Sequence, residues 1–475
     1  MKAAFSPRLA LLGIKKNARL YVPYLLSCAF MAAMLYIVAY LAATPALYTV
    51  NGKVNGAGTS AVTMVMNLGS FVVSVFITLF LFYTNSFLLR RRKKEFGLYS
   101  VLGMDRGALG SILLWETIFA AAFTLVAGLA LGVLLAYASQ SVLLRLLSLP
   151  AAAFTVSFDA IRQCAVTFAV IFALLYVRGV LSLRHAQGAA LLKSENVGEK
   201  PPKSQWLLVL PSLALLLGAY YIAATIKDPV SAMLLFFVAV LMVILATYLL
   251  FISGSVTLCK TLQKDEKFYY KKRNFVSLSS LTYRMKRNGA GLASICILST
   301  MVLVMLASTA SLYFGAEDAI STLAVQNQWH PNDIADIRTE FFSLYGSLFF
   351  LGILLSVLFL FATLLMLYYK QVVEGYEDAS RFAIMQRVGM TRRDIRESVN
   401  AQMLLIFLLP LGAAALHLAF AQPMVWQIMQ LFGIQNLTLF LGVTGAALLL
   451  FALLYCAMYR LTSNAYFRIV STQNV

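Results

Sequence analysis

The chain has 475 residues, of which 61% are hydrophobic and 12% charged, with a mean hydropathy of +0.82. A soluble domain carries about twice that charged fraction, so a soluble globular protein is excluded. The net charge of +19 comes from 38 Lys and Arg against 19 Asp and Glu, and the basic residues gather in short clusters between long apolar runs. That is the pattern of a protein crossing a membrane many times.

Ten apolar stretches long enough to span a bilayer are predicted at 21–42, 62–89, 108–139, 159–183, 205–225, 230–253, 291–314, 341–369, 400–420 and 437–459. An even number returns both termini to one side. Of the 38 Lys and Arg, only Lys53, Arg145, Arg162, Lys227 and Arg338 fall on the other side. Translocating cations is disfavoured, so the basic side is predicted to be cytoplasmic.

The leading segment 1–20 carries Lys2, Arg8, Lys15, Lys16 and Arg19 before an apolar run too long for a cleaved signal, so span 1 is expected to remain. Segment 21–183 then forms a first four-span unit. After its second span come five consecutive cations, Arg90, Arg91, Arg92, Lys93 and Lys94, read as topology-setting charge. Beyond them Glu95 and Phe96 lead into a short helix with Leu98, Tyr99 and Leu102 on one face. Gly103 follows, where a left-handed helix stop is easiest, and then Met104. Glu116 lies inside span 3, where a carboxylate is costly and suggests either a polar switch or a hydrogen-bonded helix contact. Gly128 and Gly132 in the same span permit close helix approach, a packing role.

Segment 184–253 is a linker followed by spans 5 and 6, and 254–290 is a basic linker. Within it, aromatics and cations alternate over 268–273 and 283–287, which beside a span reads as an aromatic belt and a membrane-lipid contact rather than a nucleic-acid site. The second unit, 291–459, has a short acidic outer loop at 315–340 and ends in a tail, 460–475. Pro410 is expected to kink span 9. His417 is the one histidine deep in a span and is read chiefly as a helix-packing residue. The five cysteines, Cys28, Cys164, Cys259, Cys296 and Cys456, lie in or beside apolar spans without metal-ligand spacing, and are read as small buried apolar groups.

The two units are related. The run Phe96, Leu98, Leu102, Gly103, Met104 returns 286 residues later as Phe382, Ile384, Val388, Gly389, Met390, with Met385 on the apolar face of the second copy and Gln402 opposite Glu116. The approach to span 1, Ile14-Lys15-Lys16-Asn17, returns before span 7 as Met285-Lys286-Arg287-Asn288. With the same face basic in both copies, the repeats are parallel. The fold class is therefore an all-α polytopic membrane protein: ten transmembrane helices in two parallel four-helix repeats joined by a two-helix hairpin. No G-x-x-x-x-G-K-[ST] phosphate loop occurs, so nucleotide hydrolysis by that route must come from elsewhere.

The stretch 83–104, with Arg90-Arg91-Arg92-Lys93-Lys94-Glu95-Phe96-Gly97-Leu98-Tyr99 and Leu102-Gly103-Met104, resembles the FtsX-like permease domain of ABC transporters, in particular the ten-span bacitracin-resistance (BceB-like) branch. Tyr368-Tyr369-Lys370-Gln371 and Met385-Gln386-Arg387-Val388-Gly389-Met390 agree with it, as does Leu281-Thr282-Tyr283-Arg284. The resemblance implies a non-catalytic permease in a bacterial plasma membrane. It further implies docking on two copies of a separate ATPase, which supplies ATP and Mg chemistry. The handled molecules would be cationic or cell-wall-targeting peptides, with a membrane sensor histidine kinase as a further partner. It makes Glu95, Phe96, Leu98, Tyr99, Leu102, Gly103 and Met104, with Phe382, Ile384, Met385, Val388, Gly389 and Met390, the ATPase-coupling residues. Members of this branch usually carry a large outer domain between spans 7 and 8, which the interval 315–340 is too short to contain. Two other readings are a lipid-extracting permease that transmits motion without moving cargo, and a proton-coupled transporter using Glu116 and His417.

Overall fold

The computed structural model describes residues 2–43, 56–147, 149, 152–184, 206–269, 272–327, 331–387 and 392–472. Among these, all regular structure is helical. Ten helices are long and apolar enough to cross a membrane, because each offers an uninterrupted run matching the bilayer's hydrocarbon depth while satisfying its own backbone. Three spans run well past their expected C-terminal ends, the third to Leu146, the sixth to Gln263 and the ninth to Leu431, the last because its helix passes through both Pro410 and Pro423.

The chain divides into two compact units. The first holds α1 (Lys2–Lys16), α2 (Ala18–Ala43), α3 (Gly56–Val101), α4 (Arg106–Leu146), α5 (Phe158–Arg184) and residues 335–358 of α12 (Pro331–Arg387). Helix α2 is its centre, packing on α3, α4 and α5, most extensively on α4. Residues 31 to 41 of α2 are all buried. The face of α4 that meets α2 is a stripe of seven residues spaced four apart, Glu116, Ala120, Thr124, Gly128, Gly132, Ala136 and Gln140. A Cβ added at Gly128 would lie 2.6 Å from Ala32 Cβ and 2.9 Å from the Ala29 carbonyl, and one at Gly132 would lie 3.0 Å from Tyr36 Cβ. The glycines are thus packing residues that bring two backbones together. Each end of the stripe is tied by a tyrosine of α2: Tyr21 donates to Glu116 Oε2 at 2.9 Å, and Tyr40 donates to Gln140 Oε1 at 2.9 Å.

The second unit holds α6 (Trp206–Thr225), α7 (Pro229–Leu249), a π-helical turn (Leu250–Gly254), α8 (Ser255–Gln263), α9 (Glu266–Tyr269), α10 (Lys272–Phe314), α11 (Ala316–Asn327), the rest of α12, α13 (Arg392–Leu431) and α14 (Leu437–Thr472). Helix α10 packs on α13 and α14, and the α6–α7 hairpin packs on α13. Asp228 caps α7, accepting the Ser231 N–H at 2.8 Å. Beside the π turn, Gly289 of α10 lies against the backbone of Phe251 and Ile252, where a Cβ would come within 2.5 Å of the Phe251 carbonyl.

Two expectations are corrected. The interval 315–340, expected as an outer loop, is helical wherever it is described past Gly315: α11 occupies Ala316–Asn327 and α12 already begins at Pro331. Glu317 and Asp318 sit in the first turn of α11, where the helix dipole favours anions, and Asp318 accepts from Asn436 Nδ2 at 3.2 Å. Of the five cysteines, four are buried, but Cys456 is exposed. The side chains of 270–273 and 283–287 lie outside the described residues.

Candidate functional site

Helix α3 has 46 residues, about 69 Å at 1.5 Å per residue, far more than the roughly 30 Å of membrane hydrocarbon. Its apolar span ends at Leu89, and the helix continues without a break to Val101. The stop is a glycine-terminated cap: Gly103 has φ +95°, its N–H bonds the Ser100 carbonyl at 3.2 Å, and the Met104 N–H reaches back to the Tyr99 carbonyl at 3.0 Å. Asp105 then caps α4, accepting the Ala108 N–H at 3.3 Å. In the second copy α12 is described to Arg387 and α13 from Arg392, positions 286 residues after Val101 and Arg106, and 388–391 lie outside the described residues.

At this exit one cation of the run is described, and it is buried: Arg92 is 2% exposed. Its Nη1 pairs with Glu95 Oε2 one turn along α3, and its Nη2 pairs with Glu116 Oε1 on α4. Both carboxylates have a second donor from the α1–α2 junction: Asn17 Nδ2 reaches Glu95 Oε1 at 2.7 Å, and Tyr21 Oη reaches Glu116 Oε2 at 2.9 Å. The guanidinium lies over the Phe96 ring, 5.0 Å from its centroid. Helix α1 closes the cluster through Gly13, where a Cβ would stand 2.6 Å from Arg92 Nη2. One planar fork thus joins α3 to α4 with the α1–α2 junction clamped on top, a use that suits Arg and not Lys.

The sequence-predicted residues separate into three groups. Phe96 is fully buried in an apolar cluster with Ala10, Leu89, Leu109, Ile112 and Leu113, and Tyr99 and Met104 pack against it. Leu98 and Leu102 are exposed, joined by Val101. The outward face is therefore Leu98, Val101 and Leu102, whereas Tyr99, expected on that face, turns toward the core. Glu95 and Glu116 belong to the Arg92 cluster. Phe382, Ile384 and Met385 lie in α12 and Gln402 lies in α13, but their side chains are outside the described residues, as are Val388, Gly389 and Met390 altogether.

His417 sits apart, in the second unit. Tyr220 Oη lies 2.5 Å from its Nδ1, and Thr247 Oγ1 lies 3.1 Å from its Nε2. Thr247 also donates to the Val243 carbonyl at 2.6 Å, which uses its single proton. For a neutral imidazole, proton counting then gives one assignment: Nε2–H donates to Thr247, and Tyr220 donates to Nδ1. A neutral imidazole fully hydrogen-bonded between α6, α7 and α13 packs helices.

Sequence reasoning missed Arg92, Asn17, Tyr21 and Gly13. Two signals pointed to the first: Arg92 and Glu95 are spaced i,i+3, and an intramembrane carboxylate calls for a cationic partner.

A polytopic helical membrane protein with two equivalent long helices leaving the bilayer on its basic side is the class that fold and site define. The family model for the FtsX-like permease C-terminal region matches twice, at 67–185 and 341–467, together more than half of the sequence. The chain belongs to the FtsX-like permease family. The bacitracin export permease protein BceB of Halalkalibacterium halodurans is 28% identical over 321 residues, covering 65% of this chain and 48% of that protein. The bacitracin export permease protein BceB of Bacillus subtilis is 26% identical over 324 residues, covering 65% and 49%. The ABC transporter permease protein YxdM of Bacillus subtilis is 26% identical over 313 residues, covering 65% and 48%. The chain spans about half the length of the curated relatives it matches.

Proposed function

We propose that this chain is the membrane subunit of an ABC transporter that confers resistance to, and senses, peptides attacking the cell wall. In this reading it lies in a bacterial plasma membrane with its termini and basic linkers cytoplasmic. The observation that carries the reading is the glycine-stopped end of α3, which presents Leu98, Val101 and Leu102 and whose sequence run returns 286 residues later. Two equivalent docking ends suit two copies of one ATPase, in which ATP and Mg bind. The relatives named for bacitracin export support the peptide class. A sensor kinase is a further partner in this reading. The close closure of α4 on α2 favours a transmission of motion over passage of cargo between those two helices.

The test is subunit stoichiometry by native mass spectrometry of the tagged chain purified from its own membrane, with ATPase stimulation measured in nanodiscs. Two ATPase copies per chain are expected. Leu98→Asp with Leu102→Asp should abolish stimulation while changing chain stability by about 0.5 kcal/mol or less, since both are surface positions. A lone chain, or full stimulation in the double variant, removes the coupling assignment.

A further inference from the structure

The second unit contains a cavity of about 420 Å³ between α6, α7, α10 and α13. Its walls are almost wholly apolar, and include Ala239, Val243, Met301, Met305, Phe420 and Met424. All four helices cross the membrane, and the lining residues lie toward the ends of these spans remote from the basic linkers. Tyr220 and His417 stand in its wall, but their polar atoms are committed: His417 bonds Tyr220 through one nitrogen and Thr247 through the other. Two lining hydroxyls are turned back onto their own helix, Thr300 to the Cys296 carbonyl at 2.9 Å and Thr309 to the Met305 carbonyl at 2.8 Å.

We infer that this cavity is a binding site for one hydrocarbon chain of a membrane lipid, drawn from the leaflet remote from the basic linkers. Water is a poor occupant, because an ordered water needs two to four polar partners, and beyond the committed groups just named the lining adds a single hydroxyl, that of Ser308. An empty space of this size forfeits the contacts of every lining side chain. What surrounds membrane-spanning helices is hydrocarbon, which requires no polar partner. At about 30 Å³ per water-sized group, the space holds on the order of 14 such groups, the scale of a single chain and too little for a whole two-chain lipid. Met301, Met305 and Met424 add flexible, polarisable walls able to follow a mobile chain. The chain would lie beside the contacts that already join α13 to α6, α7 and α10, filling the space those contacts leave.

Substitutions that fill the space test the inference. The full-length protein is released from its membrane in mild detergent, and lipid retained after annular lipid is stripped is measured by native mass spectrometry. Val240→Trp and Ala421→Phe place bulk in the cavity wall, whereas Leu241→Trp adds the same bulk on an outward face of α7. One retained lipid is expected in the unsubstituted protein and in Leu241→Trp. Occupancy should fall about tenfold in the filling variants, the loss expected when roughly two methylenes lose their burial. Should the filling variants not fold, a diazirine-bearing acyl-chain lipid in nanodiscs is crosslinked to the unsubstituted protein. Labelling concentrated at Met301, Met305 and Met424 sustains the site. Equal retention in all variants, or labelling spread evenly over outward residues such as Leu234 and Leu241, overturns it.

Discussion

At position 116 stands a glutamate whose charge is met by Arg92 and by the hydroxyl of Tyr21. The repeat places Gln402 at the corresponding position of the second copy, Asp378 where Arg92 stands, Arg381 where Glu95 stands, and Leu292 at the place of Tyr21. The residue types that build the buried fork are therefore present once. The small-residue stripe differs too: Gly128 and Gly132 correspond to Ala414 and Leu418, both buried. In the first unit, α2 and α4 touch backbone to backbone. In the second, α13 meets its neighbours through larger side chains, with a neutral histidine network and an open apolar space. The shared feature is the sequence run ending in Gly-Met, whose glycine stops the helix in the first copy by local chain geometry. The internal chemistry is free to diverge, because a helix boundary needs only a glycine and a cap, whereas a buried charge needs partners on three elements.

The comparison can be broken most severely at Arg92. Arg92→Leu leaves Glu95 and Glu116 without their cation and should destabilise the protein by about 3–5 kcal/mol. Unfolding in detergent followed by helical circular dichroism reads this, and adding Glu116→Leu should recover part of the loss, because the two residues are coupled. An additive double variant would show that the fork is not one interaction. Next in size is Gly128→Leu, which forces side-chain atoms into Ala29 and Ala32. A loss of about 1–3 kcal/mol is expected. Ala414→Gly tests the other copy and should cost only about 1 kcal/mol, the helix propensity difference with a small void. Equal effects at the two positions would erase the contrast between the stripes. Smallest is His417→Phe, which removes two intramembrane hydrogen bonds worth about 0.6 kcal/mol each. A loss of proton-dependent activity in that variant, with stability unchanged, would instead return His417 to a titrating role.

The ten spans and the repeat could be read from the residues because they rest on properties local to a stretch: apolar length, cation clusters, and a glycine after an apolar face. The helix stop at Gly103 belongs to the same category. The fork did not. Among five consecutive cations, the i,i+3 spacing to Glu95 points to Arg92 and the i,i+4 spacing equally to Arg91, so the order of residues alone does not choose between them. That depends on Gly13 lacking a side chain and on Glu116 lying within reach, respectively 79 residues before Arg92 and 24 after it. His417 shows the same limit, since Tyr220 and Thr247 are 197 and 170 residues distant. The outer interval failed differently: Glu317 and Asp318 look like solvated loop residues unless they are recognised as the first turn of a helix.

The unbroken course of α3 gives the fork a mechanical meaning. Arg92 pins the helix six residues before Leu98 and 31 residues after Ala61, so a rigid rod held there has arms of about 9 Å and about 47 Å. Any tilt about that fulcrum is magnified about fivefold along the longer arm, in inverse proportion to the force delivered. Placing the fulcrum so close to the exposed end favours reach over strength: a sub-ångström nudge at Leu98 is returned as several ångströms at the far surface of the membrane.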